Sequence, residues 1–253
     1  MSKEERVALV TGGTGGVGRA VCHGLAHQGF RVAFTYHSNS EKAAGLESDL
    51  AGLGTSSLSG HPDFTDPEQA DAFVHEVVAA YGRIDTVVHA SGPYVDQRFV
   101  STFDSDQFRR HVEQELTAFF ELVRTTLPPL RSTSGSLTAV TTMALRRFPA
   151  RDALSSVPKG GIEALVKAIA LEEGRYGVRA NSVGPGVLAD GMGIGLAATG
   201  DVPPQMRANV ERQIPLRRLG RGAEVAAVVC FLASDAASYV TGQTIDVDGG
   251  YGI

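Results

Sequence analysis

The sequence predicts an α/β fold, a single domain in which a doubly wound, Rossmann-type parallel sheet of about seven strands carries helices on both faces. Three observations predict it. Short β-rich apolar runs alternate with helix-length amphipathic stretches from one end of the chain to the other. The first such run, Val7–Val10, is apolar at every position, which is the pattern of a strand buried on both faces. No composition break, linker or internal repeat divides the 253 residues, so the expectation is one domain over residues 1–253. With 43% hydrophobic side chains, a chain of this length buries a sizeable core. Ligands of such sheets sit beyond the carboxyl ends of the strands, where strand order reverses.

Val7–Val10 meets a glycine cluster at once, and Val17, Val21, Leu25 and Ala26 then recur at helical spacing up to Gln28. Arg31–Tyr36 is β-rich. Ser40–Leu50 reads as a helix, Ser57–Gly60 as a weak strand, and Pro67–Tyr81 as a helix with its proline in the first turn. Thr86–His89 is a strand, and Asp106–Leu127 is a long helix expected to stop at Pro128-Pro129. Leu137–Thr141 reads as a strand, Ser156–Tyr176 as a helix and Val178–Val183 as a strand. Gly186–Pro204 is rich in glycine and alanine without clear period. Helical pattern returns over Gln205–Arg212 and Ala223–Ala233, and Thr244–Val247 closes with a strand.

Composition narrows the function. The 23 basic and 28 acidic side chains are well mixed and give a net charge of −5, which argues against a sequence-independent nucleic-acid binder. Cys22 and Cys230 are too few and too far apart for a disulfide framework. Residues Met1 to Arg6 are charged and polar, unlike a signal peptide, and no apolar run reaches the roughly 18 residues a membrane helix needs. A soluble, cytoplasmic protein with no membrane partner is the expectation.

The strongest local signal is Thr11-Gly12-Gly13-Thr14-Gly15-Gly16-Val17-Gly18, placed directly after a buried strand and opening a helix. A phosphate-binding turn needs one glycine for the tight turn, one for close approach of the pyrophosphate, and one for helix–strand packing. The helix starting near Gly16 offers free N–H groups to phosphates. The spacing is T-G-x-x-x-G-x-G. Further on come Asp63 in a D-x-T-D stretch, Lys159 on a helix after a strand, Gly184-Pro185-Gly186 after the sixth strand, and GQTIDVDGG from Gly242 to Gly250. On these residues the chain resembles the short-chain dehydrogenase/reductases over essentially its whole length. Residues Glu224–Gly250 are similar to bacterial β-ketoacyl-thioester reductases.

The resemblance implies NAD(P)(H) binding and hydride transfer, commonly in a homotetramer or homodimer. It assigns the cofactor to Gly12, Thr14, Gly16, Val17 and Gly18 in the turn, to Tyr36, His37 and Ser38 after the second strand, and to Asp63 and Phe64 at the adenine. It adds Ala90 and Gly92 after the fourth strand, Lys159, and Pro185, Gly186 and Val187 after the sixth. NAD-preferring relatives place an Asp at the end of the second strand, on the ribose 2′-hydroxyl. Tyr36 stands there instead, with His37, Ser38 and Asn39 as donors and Lys42 within reach, so NADP(H) is favoured over NAD(H). Asp63 also fits a plain turn or cap residue.

At the reacting centre the resemblance implies a Tyr-x-x-x-Lys pair, a Ser on the preceding strand and an Asn on the long helix. The corresponding residues are Ser155 and Lys159, Thr142, and Glu115. The Tyr is missing. A phenol titrates near 10, whereas an alkyl hydroxyl is far less acidic and a poor general acid. Thr142, Ser155 and Lys159 are the expected catalytic residues. The order Thr141-Thr142 followed by Leu154-Ser-Ser-Val-Pro-Lys159 resembles the 2,4-dienoyl- and enoyl-thioester reductase branch, which also has a Ser four residues before its Lys. That implies reduction of a conjugated C=C bond, whose enolate needs hydrogen bonds more than a full proton. Two alternatives stand beside it: carbonyl reduction with Tyr94 as the acid, or dinucleotide binding without turnover.

Several residues have a plainer role in the sequence. Ser155 or Ser156 fits an N-cap, with Pro158 in the first helical turn. Glu115, among His111, Glu113 and Gln114, fits a solvated helix face or a subunit contact. His89 fits a hydrogen-bonded core residue under the cofactor. Arg146, Arg147 and Arg151 fit surface charge, or attraction of a carrier protein or coenzyme A phosphates. Residues 186–213 match the family's substrate lid, with Met192, Ile194 and Leu196 positioned to touch an acyl chain.

Overall fold

The computed structural model describes residues 5–190 and 204–253, with the backbone alone for 204–207. Seven parallel strands form one sheet in the order β3-β2-β1-β4-β5-β6-β7. They are β1 (Val7–Thr11), β2 (Arg31–Thr35), β3 (Ser57–Gly60), β4 (Thr86–His89), β5 (Ser136–Val140), β6 (Arg179–Pro185) and β7 (Thr244–Val247). Strand order reverses between β1 and β4, which pair in parallel from Ala8↔Thr86 to Thr11↔His89. Both strands are buried along their full length, as the continuously apolar run Val7–Val10 predicts for β1.

Helices cover both faces. One core cluster joins β1 and β2 to α1 (Gly16–His27), α2 (Ser40–Gly52) and α8 (Gly222–Ala233). The other joins the sheet to α3 (Pro67–Tyr81), α5 (Ala118–Thr133) and α6 (Ala153–Glu173). Caps set the helix starts. Asp66 accepts the Glu68 and Gln69 N–H groups ahead of Pro67, and Asn39 accepts the Lys42 N–H at 2.8 Å. Asp104 and Gln107 form a reciprocal capping box at α4 (Ser105–Val112). The short helix α7 (Pro204–Gln213) precedes α8. Among the described residues no helix is long and apolar enough to cross a membrane. Cys22 and Cys230 are both buried free thiols, and burial pushes the Cys230 thiol up to about 11.

Three expectations need correction. The helix expected to end at Pro128-Pro129 runs through both prolines to Thr133. The packing that outweighs the lost N–H donors is visible: Leu130 is fully buried, and Arg131 clamps Glu173 with two bonds of 2.6 and 2.7 Å. The same helix is not regular upstream, because Glu113–Thr117 forms a π turn between α4 and α5. A π turn holds an extra residue and rotates every later side chain to a new face. Finally, α6 begins at Ala153, three residues earlier than expected, with Asp152 at its N-cap and the Asp152 carbonyl accepting the Ser155 and Ser156 N–H groups at 2.9 and 2.8 Å. Ser155 and Ser156 are therefore inside the helix, not caps, and Pro158 lies in its second turn.

Candidate active site

The site lies at the carboxyl ends of β1, β4, β5 and β6. Its floor is the glycine turn. Gly12 has φ +69°, and a Cβ there would come 2.7 Å from the Ala90 carbonyl oxygen. Only glycine lets the turn press against the end of β4 in this way. A Cβ on Gly18 would come 2.1 Å from the Gly12 carbonyl oxygen, so α1 begins flush against the turn. Gly15 stands at the N-cap with no side-chain bond, and no acidic residue occupies the first turn of α1. Neither a side-chain cap nor an acidic residue therefore competes for the first N–H groups and the positive end of the helix dipole, which fits a dinucleotide pyrophosphate. Thr14, Gly16 and Val17 line this edge, half-buried.

At the end of β2, Tyr36 is half-buried and packs edge-on to His61 at 5.7 Å. His37, Ser38 and Asn39 are exposed, and the Asn39 side-chain oxygen is spent on its cap. Residues 36–39 include no carboxylate. Asp63 is exposed, and its Oδ1 accepts from the Thr65 N–H and hydroxyl at 2.8 and 2.7 Å, the turn role that its sequence allowed. Phe64 packs on the α3 side of the sheet. At the end of β6, Pro185 and the following Gly186 are half-buried and Val187 is exposed. A Cβ on Gly186 would come 2.6 Å from the Asp248 Cα. Met192, Ile194 and Leu196 lie outside the described residues.

His89, at the end of β4, is 3% exposed. Its Nδ1 lies 3.1 Å from Thr11 Oγ1, and its ring lies against Phe119. Burial, reinforced by the Lys159 cation, pushes His89 down to about 3 from its ordinary 6.5. The unfolded chain therefore binds the proton between these values and the native protein does not. The stability that this neutral His89 contributes is complete above pH 6.5 and is lost as pH falls toward 3, by up to about 1.4 kcal/mol per pH unit. Urea midpoints measured across that window should fall more steeply for the wild type than for His89→Asn. Equal slopes would contradict the burial.

Of the three expected catalytic residues, Ser155 and Lys159 stand one turn apart on the same face of α6. Thr142 follows β5, and its Oγ1 accepts the Ala144 N–H at 3.1 Å, steadying the turn at Met143–Leu145. Lys159 is 8% exposed, unlike an ordinary helix lysine. Its Nζ is ion-paired with Oε1 of Glu115. Glu115 is 1% exposed, so the expected solvated face is overturned. The π turn is the cause: it swings Glu115 inward, beneath α6. Gly161 allows this approach, since a Cβ there would come 2.7 Å from the Leu116 side chain. Gly92 matters for the same reason, because its added Cβ would lie 3.1 Å from Glu115 Oε1.

Sequence reasoning missed Asp152. Its carboxylate is bonded to Ser156 Oγ, and burial raises its proton affinity. Arg146 and Arg147 are exposed, as the surface reading expected, and both hold partners. Arg146 pairs with Glu163 at 2.9 Å and Asp246 at 3.2 Å, and Glu163 in turn accepts the Thr141 hydroxyl at 3.0 Å. This network fixes the end of β5 against α6. Arg147 bonds Gln213 and the Tyr251 carbonyl, and Arg151 stacks on Phe99 at 4.5 Å. Tyr94 is 58% exposed, as a loop aromatic is. Among the described residues no cluster of His, Cys, Asp and Glu has metal-ligand geometry.

Known proteins share this architecture. A family model described as enoyl-(acyl carrier protein) reductase matches residues 12–252. The 3-oxoacyl-acyl-carrier-protein reductase FabG of Staphylococcus aureus is 30% identical over 249 residues, 98% of each chain. The L-fucose dehydrogenase of Rattus norvegicus is 30% identical over 245 residues, 97% of this chain and 88% of that one. A short-chain type dehydrogenase/reductase from Mycobacterium ulcerans superposes with TM-score 0.91 at 30% identity, covering 100% of this chain and 91% of the other. The fold of a Serratia marcescens short-chain dehydrogenase/reductase matches with TM-score 0.89 at 24% identity over 98% of both chains.

Proposed function

The chain belongs to the short-chain dehydrogenase/reductase family and is an oxidoreductase, and from that premise we propose that it is an NADPH-dependent reductase of a conjugated enoyl thioester. One observation carries the choice of substrate. The residue one turn before Lys159 on α6 is Ser155, so no phenol stands beside the ammonium to protonate an alkoxide. NADPH, when bound, supplies hydride to the β-carbon. The chain's own residues then have a lighter task than in ketone reduction. Thr142, Ser155 and Lys159 donate hydrogen bonds to the thioester oxygen as enolate charge develops on it.

Gly12, Thr14, Gly16, Val17 and Gly18 hold the pyrophosphate in this proposal, and Tyr36, His37 and Ser38 meet the adenosine ribose. The absence of a carboxylate at the end of β2 supports NADPH, since nothing there repels a 2′-phosphate. Asp63 and Phe64 border the adenine, Ala90 and Gly92 the nicotinamide side, and Pro185, Gly186 and Val187 its carboxamide. The whole of residues 1–253 acts as one dinucleotide-binding domain, with 186–213 as the lid over an acyl chain. A homotetramer or homodimer and a cytoplasmic setting accompany this reading.

Reduction of a 3-oxoacyl thioester is the second reading, favoured by the curated relatives named 3-oxoacyl reductases. The test is the loss of reduced-nicotinamide absorbance with an enoyl and a 3-oxoacyl thioester run side by side, each with NADPH and NADH. Turnover of the enoyl compound with NADPH is expected. Turnover of the 3-oxo compound alone would reverse the choice. Binding of NADPH with neither compound consumed would leave a dinucleotide-binding protein without redox turnover.

A further inference from the structure

We propose that the groove between the segments following β4 and β5 is a substrate subsite in which Asp152 selects an acyl group carrying a hydrogen-bond donor, a hydroxyl or an amide N–H, ahead of an apolar end. The proposal rests on the reductase reading for the reacting end of the substrate, and it names the class of acyl group that the reading leaves open.

The groove has a volume of about 590 Å³. That lies within the range of small-molecule sites, roughly 300–1,000 Å³. One wall is Phe99 and Val100, after β4, and the other runs from Phe148 to Ala153, where α6 begins. Phe99, Val100 and Phe148 are all exposed. Large apolar side chains exposed around one groove mark a ligand surface, unlike apolar residues scattered singly. Arg151 ties the two walls together. Its guanidinium lies 4.5 Å from the centroid of the Phe99 ring, and its φ of +71° is one that a residue with a side chain seldom adopts. Strain of that kind persists only where neighbouring contacts impose it, and here the contact is the one that spans the groove.

The polar groups of the groove are Ser101, Arg151 and Asp152. Ser101 is exposed, and Arg151 is engaged on Phe99. Asp152 is half-buried, and its Oδ2 accepts the Ser156 hydroxyl. Among the described residues no donor reaches its Oδ1. A half-buried carboxylate oxygen without a donor is costly, and in an otherwise apolar groove it is the group that orients a ligand.

The place of Asp152 on the helix sets what it reads. Its carbonyl accepts the Ser155 N–H at 2.9 Å, so the two residues are neighbours around the first turn of α6. Residues three apart in this way have Cβ atoms about 5–6 Å apart, the reach of about four bonds of an acyl chain. With the thioester oxygen at Ser155, a hydroxyl on the fifth acyl carbon meets Asp152, and the carbons beyond it lie between Phe99 and Phe148. The hydroxyl donates and Oδ1 accepts.

The test uses the full-length protein with NADPH and three enoyl thioesters: the oct-2-enoyl compound, its 5-hydroxy derivative, and the octenoyl compound ending in a carboxylate. Wild-type kcat/KM should favour the hydroxy compound over the plain one by about 10-fold, mostly through KM, the scale of one hydrogen bond to a charged acceptor. Asp152→Ala should erase the preference. Asp152→Asn keeps an acceptor oxygen and should retain part of it, and Ser156→Ala, which leaves the carboxylate in place, should retain all of it. An Asp152 that merely starts the helix would instead shift all three compounds together. Arg151→Gly keeps the turn and removes the clasp, so it should raise KM for the plain and hydroxy compounds alike, and an unchanged KM would contradict the groove as the binding place. Equal kcat/KM for those two compounds in the wild type, a preference that survives Asp152→Ala, or a preference for the carboxylate compound would each overturn the subsite and leave the reductase reading intact. Calorimetric titration of the NADP⁺-loaded protein with saturated amide analogues of the same acyl groups separates the two. If no thioester is turned over, yet the hydroxy analogue binds about 10-fold tighter than the plain one and Asp152→Ala removes the difference, the subsite stands and the reductase reading falls.

Discussion

Lys159→Met is expected to destabilise the protein by about 3–5 kcal/mol and to abolish turnover, because it strands the Glu115 carboxylate in the interior. Two ionised groups at 8% and 1% exposure persist only because each neutralises the other. A surface salt bridge would contribute less than about 1 kcal/mol, so the size of the loss itself discriminates between a buried pair and a peripheral one. The cause is separable from lost side-chain packing. The double variant Glu115→Leu/Lys159→Met removes both charges together and should recover most of the stability while staying inactive. Chemical denaturation of the two single variants and the double variant measures this. Equal stability of Lys159→Met and wild type would show that Glu115 has access to solvent after all.

Gly18→Ala is the second large effect. Its new Cβ would lie 2.1 Å from the Gly12 carbonyl oxygen and 2.8 Å from the Gly12 carbonyl carbon, and both are backbone atoms that cannot rotate away. The start of α1 must move off the turn, taking its N–H groups with it. We expect NADPH affinity to fall by at least about 100-fold, corresponding to the loss of several charge-assisted hydrogen bonds. The fold should lose about 1–3 kcal/mol, as overpacked sites do. Gly45→Ala supplies the contrast. Gly45 lies inside α2 with nothing within 4 Å of an added Cβ, so the methyl group should stabilise the helix by about 0.5–1 kcal/mol and leave cofactor binding alone. NADPH fluorescence titrations and thermal melts of both variants check the pair. Unchanged binding in Gly18→Ala would remove the glycine turn from the site.

The sheet and the glycine turn were legible in the sequence because each rests on short-range signals. β1 is apolar throughout because both its faces are covered, and the glycines follow it because the turn beneath Ala90 has no room for a Cβ. Lys159 was legible through its spacing on α6. The surroundings of Lys159 were not. A regular helix from Asp106 would have turned Glu115 to solvent, and nothing in the order His-Val-Glu-Gln-Glu announces the π turn that inverts it. The π turn is stabilised from outside, by the ion pair with Lys159 and by the small Gly161 opposite Leu116. Asp152 was missed for a related reason. Ser155 and Ser156 are better-known helix starters, yet the helix begins ahead of them, and Ser156 turns its hydroxyl back onto Asp152. The run through Pro128-Pro129 likewise depended on partners distant in sequence, Glu173 above all. Local patterns therefore located the sheet and the glycine turn, while tertiary contacts determined the surroundings of Lys159.

The most direct test of the central claim is to run the reaction with NADPH deuterated at the transferred position and weigh the product of an enoyl thioester. Hydride transfer without the phenol predicts a saturated product carrying one deuterium at the β-carbon; with the label in the solvent alone, deuterium appears at the α-carbon and none at the β-carbon. An unlabelled product, or a 3-hydroxy product from the 3-oxo compound as the sole labelled species, would contradict it.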